Sequence, residues 1–264
     1  MIEDVKKSTV RLYESCVFDR LLGDTLRPGG LPLTARLAQV AGITAGHTVL
    51  DIACGRGTTT FFLAKEHNCH VTGTDLSVKM IASCRSRADK ELVSNVTFLL
   101  GDAESLPFGD GCFDFVISEC SFSLLPNKEM AAREIWRVLK PGGKLAMTDI
   151  ILRGEVDNQL RDQVAFACCL GGAWRLEEYI RLFERAGFQS PYSEDHSHEI
   201  KKVAFRLGMT FGSVKNLLAE VPTGPCEQKK KTEDVVYSVQ SYQQFLKTGR
   251  PGYALLSMTK REAT

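Results

Sequence analysis

The stretch VLDIACGRGT, residues 49 to 58, decides how the rest of the chain is read. Val49, Leu50 and Ile52 make a near-continuous aliphatic run, the pattern of a strand buried on both faces and so of a parallel sheet covered by helices. Asp51 places an acid at the end of that strand. Ala53, Cys54, Gly55 and Gly57 then form a turn of small residues that opens the next helix, where a ligand can approach the backbone and meet unsatisfied N–H groups.

Around this stretch the sequence alternates. Strands are predicted at 47–53, 70–76, 96–102, 113–119 and 144–151, with helices at 57–66, 77–90 and 127–139 and a KPGG turn at 140–143. Five strands alternating with helices over roughly 105 residues imply parallel βαβ units. Downstream, Leu176, Tyr179, Ile180, Leu182 and Phe183 form the apolar stripe of a helix over 175–188, followed by strands at 190–195 and 252–260. Upstream, a helix over 4–22 precedes the break LRPGGLPLT at 26–34, and a second helix runs from Thr34 to Ala41. The expected fold class is α/β: a doubly wound, mostly parallel seven-stranded Rossmann-like sheet with amino-terminal helices and a helical cap insertion. Residues 1–44 are assigned to a helical lid, 45–196 and 251–264 to the core, and 197–250 to the cap. The segment 152–173 is also surplus to a compact sheet, and the charge-dense EQKKKTED at 227–234 reads as a solvated loop or an exposed helix start.

Composition sets limits on function. The 264 residues are 44% apolar, enough for a sizeable core. Lys plus Arg number 33 against 32 acids, so a net charge of +1 supplies no field for a polyanion or an anionic membrane, and no nucleic-acid partner is expected. No apolar run approaches the roughly 18 residues of a membrane span, and both charge signs occur from the first residues onward. Nine cysteines, an odd number without a C-x-x-C pair, read as reduced thiols in a cytoplasmic protein.

Asp75 ends the second strand at the sheet edge where open α/β sheets bind ligands, and its carboxylate suits both ribose hydroxyls of a nucleoside. Asp102 ends the third strand and is expected to face an adenine ring. A nicotinamide dinucleotide is opposed by the turn itself, because Gly55 and Gly57 are followed by Thr60 where G-x-G-x-x-G needs a third glycine. No Walker lysine is present for phosphates.

The set VLDIACGRGT, GTDLS, GDAESLPF, FDFVIS and REIWRVLKPGGKLAMTD, spanning about residues 45 to 152, resembles the class I methyltransferases of the quinone-methylating type. The resemblance implies S-adenosylmethionine as cofactor, S-adenosylhomocysteine as product and a small-molecule acceptor. It places Asp51, Ala53, Cys54, Gly55 and Gly57 along the methionine end, Asp75 and Leu76 at the ribose, Asp102 and Ala103 at the adenine, and Ser118 and Glu119 on the pocket floor. Ala53 stands where that family usually has glycine. Methyl transfer asks mainly for in-line alignment of an activated sulfonium, so the core does not name the acceptor.

A narrower resemblance, to arsenite methyltransferases, rests on Cys120 in ISEC and on CLGGA at 169–173 before the helix. It implies that Cys120 and Cys169 hold a trivalent metalloid through soft thiolates, with Cys226 or Cys16 as a third ligand. Against it, cysteine commonly serves as a small buried apolar residue. The readings left open are therefore a quinone-like or other small organic acceptor, arsenite, and a nucleoside-binding protein without transfer. His196 and His198 lack a placed third ligand and read as surface or hydrogen-bonded residues, so no metal site is assigned. Trp174 and Tyr179 read as packing against the sheet, with the wall of an acceptor pocket as the alternative; the family resemblance implies that Tyr13 and the loop from Arg27 to Gly30 close over the cofactor, against the alternative of plain helix packing and a turn.

Overall fold

The computed structural model describes residues 2–14, 20, 23–158, 160, 170–213, 216 and 232–262. Seven strands, β1 (Thr48–Ile52), β2 (His70–Asp75), β3 (Val96–Leu100), β4 (Phe113–Glu119), β5 (Leu139–Leu152), β6 (Phe188–Asp195) and β7 (Pro251–Lys260), form one sheet in the order β3-β2-β1-β4-β5-β7-β6. Pairing is parallel from β3 across to β5, and β7 runs antiparallel to both β5 and β6.

Successive strand residues point to opposite faces, and both faces are covered. Val49, Val71 and Ile117 join one core, to which α2 (Gly30–Ala41) contributes Leu37 and Ala38 and α3 (Thr58–Glu66) contributes Leu63. Their neighbours Leu50 and Val116 join the other core, with Ile135 of α5 (Lys128–Val138) and Phe183 of α6 (Leu176–Ala186). This two-sided burial is what the aliphatic run at 49–52 announced. The remaining helix of the parallel half, α4 (Val78–Lys90), starts at Ser77, whose hydroxyl accepts from the Met80 N–H. Between β6 and β7 the structure places α7 (His198–Phe211) and α8 (Thr232–Gly249).

Two boundaries differ from the sequence reading. The break at 26–34 is shorter than expected, because α2 already begins at Gly30; Pro32 lies in its first turn, where a missing N–H costs nothing. The KPGG segment at 140–143 belongs to β5. Its register against β4 shifts between Phe113↔Leu139 and Phe115↔Lys144. A side chain at Gly143 would meet the Asp114 and Lys140 carbonyl oxygens at 2.9 Å, so only glycine lets the strand kink there. At the amino terminus, α1 spans Ile2–Tyr13, and residues 15–19 and 21–22 of the expected helix lie outside the described residues.

Candidate active site

The sheet order reverses at β1, whose neighbours are β2 on one side and β4 on the other. A crevice opens beyond the carboxyl ends of strands at such a switch point. Here it is a cavity of about 1100 Å³, open to solvent, lined by the ends of β1, β2 and β4, the turn after β1, α1 and the loop at 25–27.

The turn is shaped by main-chain bonds. Cys54 N–H donates to the Thr74 carbonyl (2.9 Å), and Gly55 N–H donates to Asp75 Oδ2 (2.8 Å). Asp75 Oδ1 accepts from Ser77 N–H (2.8 Å), and the residue lines the cavity. Burial pushes the Asp75 carboxyl up, against these two N–H bonds. Asp51 is also buried and accepts from the Thr60 hydroxyl (2.7 Å). Burial, opposed by that bond and reinforced by the nearby Glu119 charge, pushes its carboxyl up to about 7. The Cys54 thiol is raised well above its ordinary range by its bond with Cys84 and by burial. Leu26, Ala53 and Cys120 all line the cavity with φ values of 53°, 54° and 55°, a region that non-glycine residues seldom occupy.

Of the residues singled out in the sequence, Asp51, Ala53, Cys54, Gly55, Asp75 and Leu76 come together on the cavity wall. Ala103, Glu119 and Cys120 join them. Three others stand behind that wall. Gly57 (φ 71°) caps α3, where an added Cβ would meet Cys84 Sγ and the Phe98 ring at 3.0 Å. Ser118 turns its hydroxyl to Ser121 (2.8 Å), and it is Ser121 that reaches the cavity. Asp102 is held by Lys6 of α1, with Nζ at 2.7 Å from Oδ2, so its carboxylate ties down α1 while Gly101 and Ala103 line the cavity. Cys169, Cys226 and Cys16 lie outside the described residues.

Some polar contacts at the site had no signal of their own in the sequence. Glu119 accepts from the hydroxyls of Thr34 and Thr59 and pairs with Arg27 at 3.0 Å. Lys6 also reaches Glu104 (2.6 Å), and Glu14 accepts from the Ser77 hydroxyl, so α1 is fastened across the cavity at both ends. The spacing of Lys6, Val10 and Tyr13 on one helical face was the available clue. Away from the site, Trp174 stacks on Tyr179, which is buried in the second core. His196 pairs with Glu194 and His198 with Glu199. Among the described residues no group of three or more His, Cys, Asp or Glu is placed to hold a metal ion, and no helix is long and apolar enough to cross a membrane.

A family model described as a methyltransferase domain matches residues 43–187. The chain is 32% identical to methyltransferase GfsG of Streptomyces halstedii over 86% of this chain and 83% of that protein. It is 32% identical to an arsenite methyltransferase of Halobacterium salinarum over 57% of this chain and 39% of that one. Among solved structures, phosphoethanolamine N-methyltransferase 2 of Haemonchus contortus in complex with S-adenosyl-L-methionine superposes with a TM-score of 0.75 at 21% identity, covering 98% of this chain and 60% of that chain. The chain thus spans most of the Streptomyces protein and less than two thirds of the other two.

Proposed function

We propose, from the premise that this chain belongs to the class I S-adenosylmethionine-dependent methyltransferases, that it methylates a small, largely apolar organic acceptor. The observation that carries the acceptor class is the apolar part of the cavity lining: Val10, Tyr13, Leu26, Leu124, Leu125 and Pro126 line the same cavity as Cys120, and no histidine is among the described cavity residues. Such a pocket suits an acceptor whose nucleophile ionises readily, as a hydroquinone-type hydroxyl does. Soluble, cytoplasmic action on a small molecule fits this reading.

The cavity residues fit the cofactor. Asp75 sets a carboxylate on the cavity wall where it can accept from the ribose, and Leu76, Gly101 and Ala103 offer a small apolar border for adenine. Asp51, Ala53, Cys54 and Gly55 line the methionine end, with Gly57 shaping the turn and Glu119 and Ser118 beneath. The bound cofactor supplies an activated methyl group on a sulfonium. The chain's own part is to hold that methyl in line with the acceptor and, through α1 and the loop at 25–27 that line the cavity, to exclude water.

Arsenite is the second reading, favoured by Cys120 on the cavity wall and by the Halobacterium relative. Formation of S-adenosylhomocysteine is measured with hydroquinones and phenols, and separately with arsenite plus a thiol, for wild type and Cys120→Ser. Turnover with the aromatic hydroxyls that survives Cys120→Ser is the expected result. Methylated arsenic from wild type, lost in Cys120→Ser, would overturn the organic assignment. Binding of cofactor without turnover on any acceptor would favour a nucleoside-binding role.

A further inference from the structure

Two of the described cysteines meet behind the turn that follows β1. Cys54 lines the cavity, and Cys84, on α4, is 1% exposed in the small core of Phe61, Ile81 and Phe98 against which Cys54 packs. The Cys54 thiol donates to the Cys84 sulfur, and the Cys84 thiol donates in turn to the Gly55 carbonyl (3.3 Å). Two glycines make room for this meeting. A Cβ at Gly57 would stand 3.0 Å from Cys84 Sγ, and one at Gly73 would stand 2.9 Å from Cys54 Sγ. Cys69 and Cys112 donate instead to main-chain carbonyls, at 3.3 Å to Thr44 and 3.2 Å to Gly109.

The pair is asymmetric, and the asymmetry suits a chemical role. Cys54 is half-buried on the cavity wall, where a molecule as small as a peroxide can reach it, while Cys84 is sealed behind it. A reachable sulfur with a second sulfur in contact is the arrangement of one thiol that is oxidised and another that resolves it. The turn that carries Cys54 also holds the site together, since Gly55 N–H donates to Asp75. With Ala53 in the left-handed region (φ 54°), that turn keeps its shape only through such contacts and yields when they change.

Resting on the cofactor reading above, we propose that Cys54 and Cys84 form a disulfide under peroxide and that this bond draws the turn away from the cofactor. The Cys54 sulfur attacks one peroxide oxygen, the O–O bond breaks, and a sulfenic acid and one water result. The Cys84 sulfur then attacks the Cys54 sulfur and expels its hydroxyl, which leaves as a second water with the Cys84 proton. Two thiols are thus oxidised to one disulfide while one peroxide is reduced to two waters. The bond to Cys84, and then burial, hold Cys54 as the neutral thiol, so the first step is slow and the cross-link records sustained oxidant. Once made, the cross-link has no S–H left to donate to the Gly55 carbonyl. A covalent bond also draws the two sulfurs closer than a hydrogen bond does, which pulls Cys54 toward α4 and the Gly55 N–H away from Asp75.

The test treats the ligand-free protein with hydrogen peroxide, blocks the remaining thiols with iodoacetamide and maps the non-reduced peptides by mass spectrometry. A linked pair of peptides carrying Cys54 and Cys84, split by dithiothreitol, is expected, and bound S-adenosylhomocysteine should slow its formation. In calorimetry, oxidation should weaken S-adenosylhomocysteine binding by about 10-fold or more, the worth of one charge-assisted hydrogen bond, and dithiothreitol should restore it. Cys84→Ala cannot close the bond; it should bind the ligand as reduced wild type does and, after peroxide, let dimedone trap the Cys54 sulfenic acid. Recovery of Cys54 and Cys84 as separately alkylated thiols, or a mapped cross-link that leaves binding unchanged, would overturn the proposal. Reduced wild type that binds no S-adenosylhomocysteine would overturn the cofactor reading and the gating with it, whereas the cross-link map tests the thiol pair by itself.

Discussion

The two walls of the cavity are built differently. One is made of strand ends and the turn after β1; its carboxylates are buried and held by main-chain N–H groups or helix hydroxyls. The other is made of α1, fastened across the opening by Lys6 to Asp102 and Glu104 and by Glu14 to Ser77, with apolar Val10 and Tyr13 between the clamps. The first wall is fixed by the sheet, while the second is attached to it by a few partly exposed ion pairs and hydrogen bonds. A fixed wall can specify a constant ligand, and an attached wall can change with the acceptor and can open to admit it.

The sharpest break in this comparison is Asp75→Ala on the fixed wall. Removing two charge-assisted hydrogen bonds to ribose should weaken S-adenosylhomocysteine binding by about 10²- to 10⁴-fold in calorimetry, with the circular dichroism spectrum unchanged. Asp51 provides the next test. Its folded-state value of about 7 lies above its ordinary 3.8, so its contribution to stability is complete below the lower value and is lost as pH rises through the higher one. The ligand-free protein should therefore lose about 4 kcal/mol of stability across that window relative to Asp51→Asn, seen as converging melting temperatures or a crossing of the two.

Gly57→Ala tests whether the turn is as rigid as its contacts imply. A left-handed backbone and a Cβ 3.0 Å from Cys84 and Phe98 should together cost about 2–3 kcal/mol in urea unfolding. The attached wall should respond least. Lys6→Ala removes a pair that is partly exposed, so it should leave unfolding nearly unchanged and speed cofactor dissociation by about 3-fold in stopped flow. A larger effect on unfolding than on dissociation would show that α1 belongs to the core.

This contrast also explains what the sequence made legible. The fixed wall could be read because its parts obey short-range rules: an aliphatic run buried on two faces, small residues at a strand-to-helix turn, and an acid ending each of the first strands. Asp51, Gly55 and Asp75 came from those rules. The clamps could not be read, because Lys6 meets Asp102 across 96 positions of sequence. Nor do periodicity rules say that Asp102 is spent on α1, or that Ser121 and not Ser118 lines the cavity. The start of α2 was missed because Pro28, Gly29, Gly30 and Pro32 together read as a break, although a helix tolerates proline in its first turn.

The place of β7 bears on how the protein is made. It is the last of the described strands, yet it lies between β5 and β6 and pairs with β5 from Lys144 to Leu152. During synthesis every strand that shapes the cofactor side emerges before β7 does. Until β7 arrives, the side of β5 that it will cover is an open edge rich in aliphatic residues, the kind of surface that templates pairing between separate chains. Nascent chains that stall within the helices preceding β7 are thus the species most exposed to aggregation and most in need of a chaperone.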